Sequence, residues 1–213
     1  HRQSAWPSEP GRDKHYHPYR VPGKSGLVHF ALDAGTAAGI NSNVARKING
    51  DLFERLIMLV LEALELDCTS GTISVPVVVR GMTVSKMNFQ HDLIVKSDDG
   101  VVRLIGQVKT TSKDRLAKIF MDKFMYCRLT DTSIPHIAIF LHDVQRVGKE
   151  GDYGIGTTFL SGHFKGLTIK LNPLDGVYYC DTRPIMESDP RIRRRIKTLD
   201  HLICDDIWGF LEQ

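Results

Sequence analysis

The sequence predicts an α/β domain in which helices flank a central mixed sheet, laid down in the order helix, three-stranded meander, helix, strand. Three observations carry this. Apolar residues recur at helical spacing over residues 43–66. Three strand-like runs follow, the last two joined by an Asp-Gly turn. An amphipathic stretch over residues 115–129 then separates the third run from a wholly apolar one, Ile137, Ala138, Ile139, Phe140 and Leu141. A strand, a helix and a second buried strand in succession imply a right-handed crossover to a parallel neighbour.

Residues 1–42 hold Pro7, Pro10, Pro18 and Pro22 and show no apolar period before about Leu27, so they read as an arm or irregular subdomain ahead of a domain over 43–213. The basic, aromatic run His15, Tyr16, His17, Tyr19 and Arg20 suits an arm that tracks DNA phosphates; the other reading is a tail packed on the domain. In the first helix Ile48, Leu52, Leu56, Leu59, Val60 and Ala63 define the repeat. Residues 56–61 are apolar all round, which predicts a mostly buried helix ended by Asp67, Thr69, Ser70 and Gly71. Strands are expected over 73–82, 87–96 and 101–110. The helix over 115–129 turns Leu116, Ile119, Phe120, Phe124 and Cys127 inward, and the strand over 136–144 is buried. The glycine-rich, charged stretch 145–158 reads as a mobile loop able to reach base edges. A late strand pair, 167–171 and 177–180, and a final helix over 191–211 complete the chain, with Ile192, Ile196, Leu199, Ile203 and Ile207 inside.

The 213 residues carry a formal charge of +3, too little to argue for or against nucleic acid, so local clustering has to decide. None of the four cysteines forms a close pair, which argues against a zinc ribbon or redox motif. Cys127 and Cys204 are expected in the core of a cytoplasmic protein. No apolar run approaches the roughly 18 residues of a membrane span, and no secretory pattern opens the sequence.

If Asp99-Gly100 is the two-residue loop of a hairpin, Asp98 faces Val101 and Asp92 falls opposite Gln107; a three-residue loop would shift this by one. Residues two apart share a strand face, so Lys109 joins Gln107. Val95 with Leu104 and Leu93 with Gly106 form the other, core-facing side. Asp92 is a hard oxygen ligand of the kind Mg²⁺ prefers, and Gln107 offers a neutral carbonyl oxygen beside it. Such a metal polarises a phosphate and acidifies a bound water, while Lys109 orients that water and offsets charge on the phosphate.

A strand Asp, a short hairpin and then an acid-x-Lys tripeptide resemble the PD-(D/E)xK nucleases, in particular their restriction-endonuclease branch. Asp92 and Gln107-Val108-Lys109 carry the resemblance, which covers residues 43–144. His91 stands where Pro is usual, and Gln107 stands where Glu or Asp is usual. The second change removes one negative charge and is compatible with either an active variant or a disabled site.

The resemblance implies a restriction-endonuclease-like core and a Mg²⁺-dependent, sequence-specific endonuclease for double-stranded DNA that leaves 5′-phosphates. Its metal would be held by Asp92, Gln107, the Val108 carbonyl and Glu54, an acid on the first helix. Glu54 also fits a capping box with Asp51. Ser112, Lys113, Arg115 and Lys118 lead into a helix N-terminus and suit DNA phosphates, as do Arg193 and Arg194 in a second basic run. A homodimer in a bacterial or archaeal cytoplasm follows, because a duplex has two strands to cut. The rivals are a repair or recombination nuclease acting on DNA structure or ends, and a DNA-binding protein with a degenerate site.

Overall fold

The computed structural model describes residues 39, 41–149 and 152–212. Most of the arm expected over residues 1–42, including His15, Tyr16, His17, Tyr19 and Arg20, lies outside the described residues. Helix α1 (Ser42–Glu62) opens on Asn41, whose side chain accepts the Asn43 N–H at 2.9 Å. Strands β1 (Asp67–Val79), β2 (Met82–Lys96) and β3 (Val102–Thr111) form an antiparallel meander. Helix α2 (Arg115–Thr130) then crosses to β4 (His136–His142), which pairs parallel to β3.

Beyond β4 come the hairpin β5 (Val144–Lys149) and β6 (Asp152–Thr157), helix α3 (Ser161–Lys170) and strand β7 (Gly176–Tyr179). The short helices α4 (Pro184–Ser188) and α5 (Pro190–Arg193) and strand β8 (Ile196–Thr198) follow. The last helical run comprises α6 (Leu199–His201), a π-helical segment (Leu202–Asp206) and α7 (Ile207–Leu211). Six strands make one mixed sheet in the order β1-β2-β3-β4-β7-β8, while β5 and β6 pair apart from it.

The alternation of β4 organises the core. Ile137, Ile139 and Leu141 face one side, where Phe53, Ile57 and Leu61 of α1 pack with Leu93, Val95, Leu104 and Val108, joined by Leu202 and Ile207. Ala138 and Phe140 face the other side, with Leu116, Ile119 and Phe120 of α2 and Phe164 of α3. A third cluster packs Tyr126 of α2 on Val75, Phe89 and Ile105. Buried Lys123 ties α2 to the turn before β7: its ammonium donates to Asp175 Oδ2 at 2.7 Å and to the Pro173 carbonyl at 2.6 Å.

The structure departs from several sequence expectations. Residues 67–71 open β1 rather than only ending a helix that stops at Glu62. Helix α1 buries Ala45, Phe53, Ile57 and Leu61 and leaves Ile48, Leu52, Leu56 and Leu59 exposed, because it covers the sheet with one stripe only. A two-residue turn, Arg80-Gly81, with both residues at positive φ, joins β1 to β2; it has the backbone of a type I′ turn without the usual Asn-Gly. The stretch expected as a mobile loop contains the β5–β6 ladder. Residues 167–171, expected as a strand, continue and close α3. The final helix is interrupted by β8, since Ile196 pairs parallel with Val177. Cys204 is exposed and Cys127 only half-buried, so neither is a full core residue.

Candidate active site

The predicted loop is one residue too short, yet the predicted register holds as far as Leu93 and Gly106; the expected pair of Asp92 with Gln107 is not part of the ladder. Ser97 donates its N–H to the Val101 carbonyl at 3.0 Å, so the loop is Asp98-Asp99-Gly100, with Gly100 at φ +80°. Lys96 then pairs with Val102, but Val95 pairs with Leu104. Arg103 is thus the extra residue of a β-bulge. The bulge cancels the longer loop, and Leu93 faces Gly106 as the shorter loop would have placed it.

Two residues further along, β2 leaves its ladder. Phe89 and His91 pack on Tyr126 beneath α2, whereas Leu93 and Val95 belong to the α1 side. All four are odd-numbered, so strict alternation fails between His91 and Leu93. The register of β2 with β1 shifts at the same place, from Thr69↔Ile94 to Gly71↔His91. Asp92 sits in this irregular segment. Its Oδ2 accepts the Val108 N–H at 2.9 Å, and it also accepts from the Lys109 ammonium. The same ammonium donates to Glu54 Oε1 at 3.0 Å.

Asp92, Glu54 and Lys109 therefore meet, from β2, α1 and β3. Asp92 is buried, while Lys109 and Glu54 keep about a quarter and a third of their side-chain surface open to solvent. The capping-box reading of Glu54 falls away, because α1 begins nine residues before Asp51, which lies mid-helix. Val108 is part of the core.

Gln107 is also buried. Its amide nitrogen donates to the Gln90 carbonyl at 2.7 Å, and the residue lines a small cavity with His91, Asp122 and His136. Asp122, on α2, is the site residue that sequence reasoning missed. It is held by Lys118 one turn earlier. No signal within α2 sets Asp122 apart from a solvated acid; its place is given by the cavity it lines with Ile105 and Gln107 of β3. Burial holds the imidazoles of His91 and His136 neutral, each with its pKa lowered to about 4.

The expected phosphate contacts divide. Lys113, Arg115 and Lys118 are exposed at the start of α2, although Lys118 is paired with Asp122. Ser112 is buried, and its hydroxyl bonds Thr158 at 2.9 Å, so it is not displayed to a ligand. Arg193 and Arg194 are exposed at the end of α5. Leu116 and Ile192 share one core cluster, so both basic groups stand on helices anchored together.

The donor set suits a hard cation of modest demand. Among the described residues no three His, Cys, Asp or Glu side chains form a ready-made cage. Mg²⁺ does not need one, since it binds through one or two carboxylates plus waters and substrate phosphates. Asp92 and Glu54, brought within reach of one ammonium, fit that requirement.

This architecture is shared with two solved structures. The chain superposes on the type IIP restriction endonuclease Kpn2I with a TM-score of 0.59, covering 89% of this chain and 63% of that one at 14% identity. With restriction endonuclease PspGI, solved as a complex with substrate DNA, the TM-score is 0.53, covering 89% and 73% at 15% identity. The chain has a restriction-endonuclease-like fold. The fold class read from the sequence is thus borne out, and the chain spans a little under two thirds of the length of Kpn2I. No family model and no curated protein matches the sequence. In this restriction-endonuclease-like fold no helix among the described residues is long and apolar enough to cross a membrane.

Proposed function

We propose that the chain is a Mg²⁺-dependent, sequence-specific endonuclease for double-stranded DNA, of the type II restriction kind. The observation that carries this is the meeting of Asp92, Glu54 and Lys109 at the splayed end of the β2–β3 hairpin. Two acids and one lysine at the end of two central strands are groups able to hold a metal and hydrolyse a phosphodiester, and the fold is one that restriction endonucleases use.

Asp92 and Glu54 would hold the metal, with the Val108 carbonyl and the carboxamide oxygen of Gln107 as neutral partners. When bound, Mg²⁺ supplies Lewis-acid polarisation of the phosphate and a lowered pKa for a coordinated water. Asp92 is fixed for this role by the Val108 N–H, which holds one carboxylate oxygen in place. Lys109, released from its bonds to the two acids, donates to the attacking water or to the phosphate oxygens. Asp122 supplies, from the far side of Gln107, the negative charge that Gln107 lacks; the cavity they share supports this.

Lys113 and Arg115 at the start of α2, with Arg193 and Arg194, are exposed cations suited to the DNA backbone. Duplex cleavage calls for two such sites, hence a homodimer, and a cytoplasmic location in a bacterium or archaeon suits such an enzyme. Digestion of phage DNA with Mg²⁺, followed by end-labelling of the products, tests the reading. Discrete fragments with 5′-phosphates are expected. Digestion that proceeds only from DNA ends or at branched structures would replace it with a repair nuclease.

A further inference from the structure

Gln107 differs from the acid usual at its position in one respect beyond charge: it can donate. Its amide nitrogen does so, to the Gln90 carbonyl at 2.7 Å. Gln90 belongs to the part of β2 that precedes the change of face between His91 and Leu93. Backbone pairing of β2 with β3 runs back from the turn as far as Leu93↔Gly106. Past that pair, two side chains span the strands in opposite senses. Asp92, from β2, accepts the Val108 N–H of β3, and Gln107, from β3, donates to the Gln90 carbonyl of β2. Together they replace the ladder that the irregularity interrupts.

We propose that Gln107 is a positioning residue whose carboxamide nitrogen anchors the displaced segment of β2 and thereby fixes the Asp92 carboxylate. An ionised glutamate has acceptor oxygens only. At this place it would set a carboxylate against a carbonyl oxygen in a buried site, where unpaired polar groups are most costly. The glutamine is then a requirement of this β2 geometry, and the site is not a disabled copy of an acidic one. The inference deepens the nuclease reading of Asp92 and rests on it for its consequence, but the anchor itself is measurable without metal or DNA.

Amide hydrogen exchange of the metal-free protein decides it. In both Gln107→Met, which keeps the length and removes the donor, and Gln107→Glu, the Val108 amide should exchange at least about tenfold faster while that of Ile139 is unchanged. With Mg²⁺ and DNA, both variants should lose at least about tenfold in kcat with KM nearly unchanged, as expected when a positioned group acts only in the transition state. Unchanged Val108 protection in Gln107→Met would overturn the proposal. So would Gln107→Glu cutting as fast as the parent or faster. A parent that cuts no DNA would defeat the nuclease reading, and the exchange result would still decide the anchor.

Discussion

The two ends of the β2–β3 hairpin are built from the same pair of strands and are held by different means. At the turn end, backbone bonds close the loop, Gly100 takes the left-handed conformation, and the exposed Asp99 carboxylate, bonded by the Ser97 hydroxyl and the Val101 N–H, is held below the usual carboxylate range. At the open end the strands are joined through the side chains of Asp92 and Gln107, and a lysine is shared by two acids. A backbone ladder satisfies its own polar groups and leaves nothing over for chemistry. Replacing it with side-chain bonds places a carboxylate, a carboxamide and an ammonium at a fixed depth in the sheet.

The comparison breaks most sharply at Asp92. Asp92→Ala should reduce Mg²⁺-dependent cleavage by on the order of 10³-fold, since it removes both a charge at the reacting phosphate and a bond to β3. Substitutions in the turn should leave single-turnover cleavage within a small factor of the parent.

Acid separates the two ends next. His91 and His136 lie against the open end and are held neutral by burial down to about pH 4, whereas an unfolded histidine takes up its proton near 6.5. Between those values the unfolded chain binds protons that the native chain refuses. Stability is therefore full above pH 6.5 and falls as pH drops toward 4, by on the order of 3 kcal/mol per histidine. Urea midpoints measured from pH 7 to pH 4.5 should show this slope, and His91→Phe should flatten it.

Glu54 and Asp122 sharpen the account within the open end. Glu54→Gln, which removes a charged ligand, and Asp122→Asn, which removes a charge behind the site, should each weaken the apparent Mg²⁺ affinity by about 10-fold to 100-fold. If Asp122→Asn leaves the Mg²⁺ dependence untouched, the acid beside Gln107 belongs to the lysine at position 118 and not to the metal. The smallest effect is at the turn. Gly100→Ala places a Cβ at φ +80° with open space around it, so it should cost about 1 kcal/mol of stability and no activity.

Much of the central fold was legible because its signals are local and strong. The helix before the meander, the Asp-Gly turn, the amphipathic α2 and the apolar β4 each announce themselves within one element. The pairing of Asp92 with the third strand was legible only through a cancellation, since the three-residue loop and the bulge at Arg103 shift the register in opposite directions. The Arg80-Gly81 turn was missed because arginine is a poor signal for a positive φ. After β4 the sequence reading failed more often. Strand β7 matches the strand expected over 177–180, whereas β8 has three residues and is held by its pairing with β7. The helix over residues 191–211 was mistaken because β8 interrupts the apolar period without a proline or glycine at the break. Lys109 and Glu54 were both expected at the site, Glu54 through the resemblance, but no signal in the residues themselves gives their contact across 55 positions. Asp122 was missed because nothing within α2 marks it out from a solvated acid.

The measurement that bears most directly on the central claim is cleavage of supercoiled plasmid by the parent and by Lys109→Ala, with DNA binding followed in parallel with Ca²⁺ in place of Mg²⁺. The parent should cut with Mg²⁺, and Lys109→Ala should bind DNA within a few-fold of the parent and cut on the order of 10²-fold more slowly or not at all. A Lys109→Ala protein that cuts as fast as the parent would place the chemistry elsewhere and contradict it.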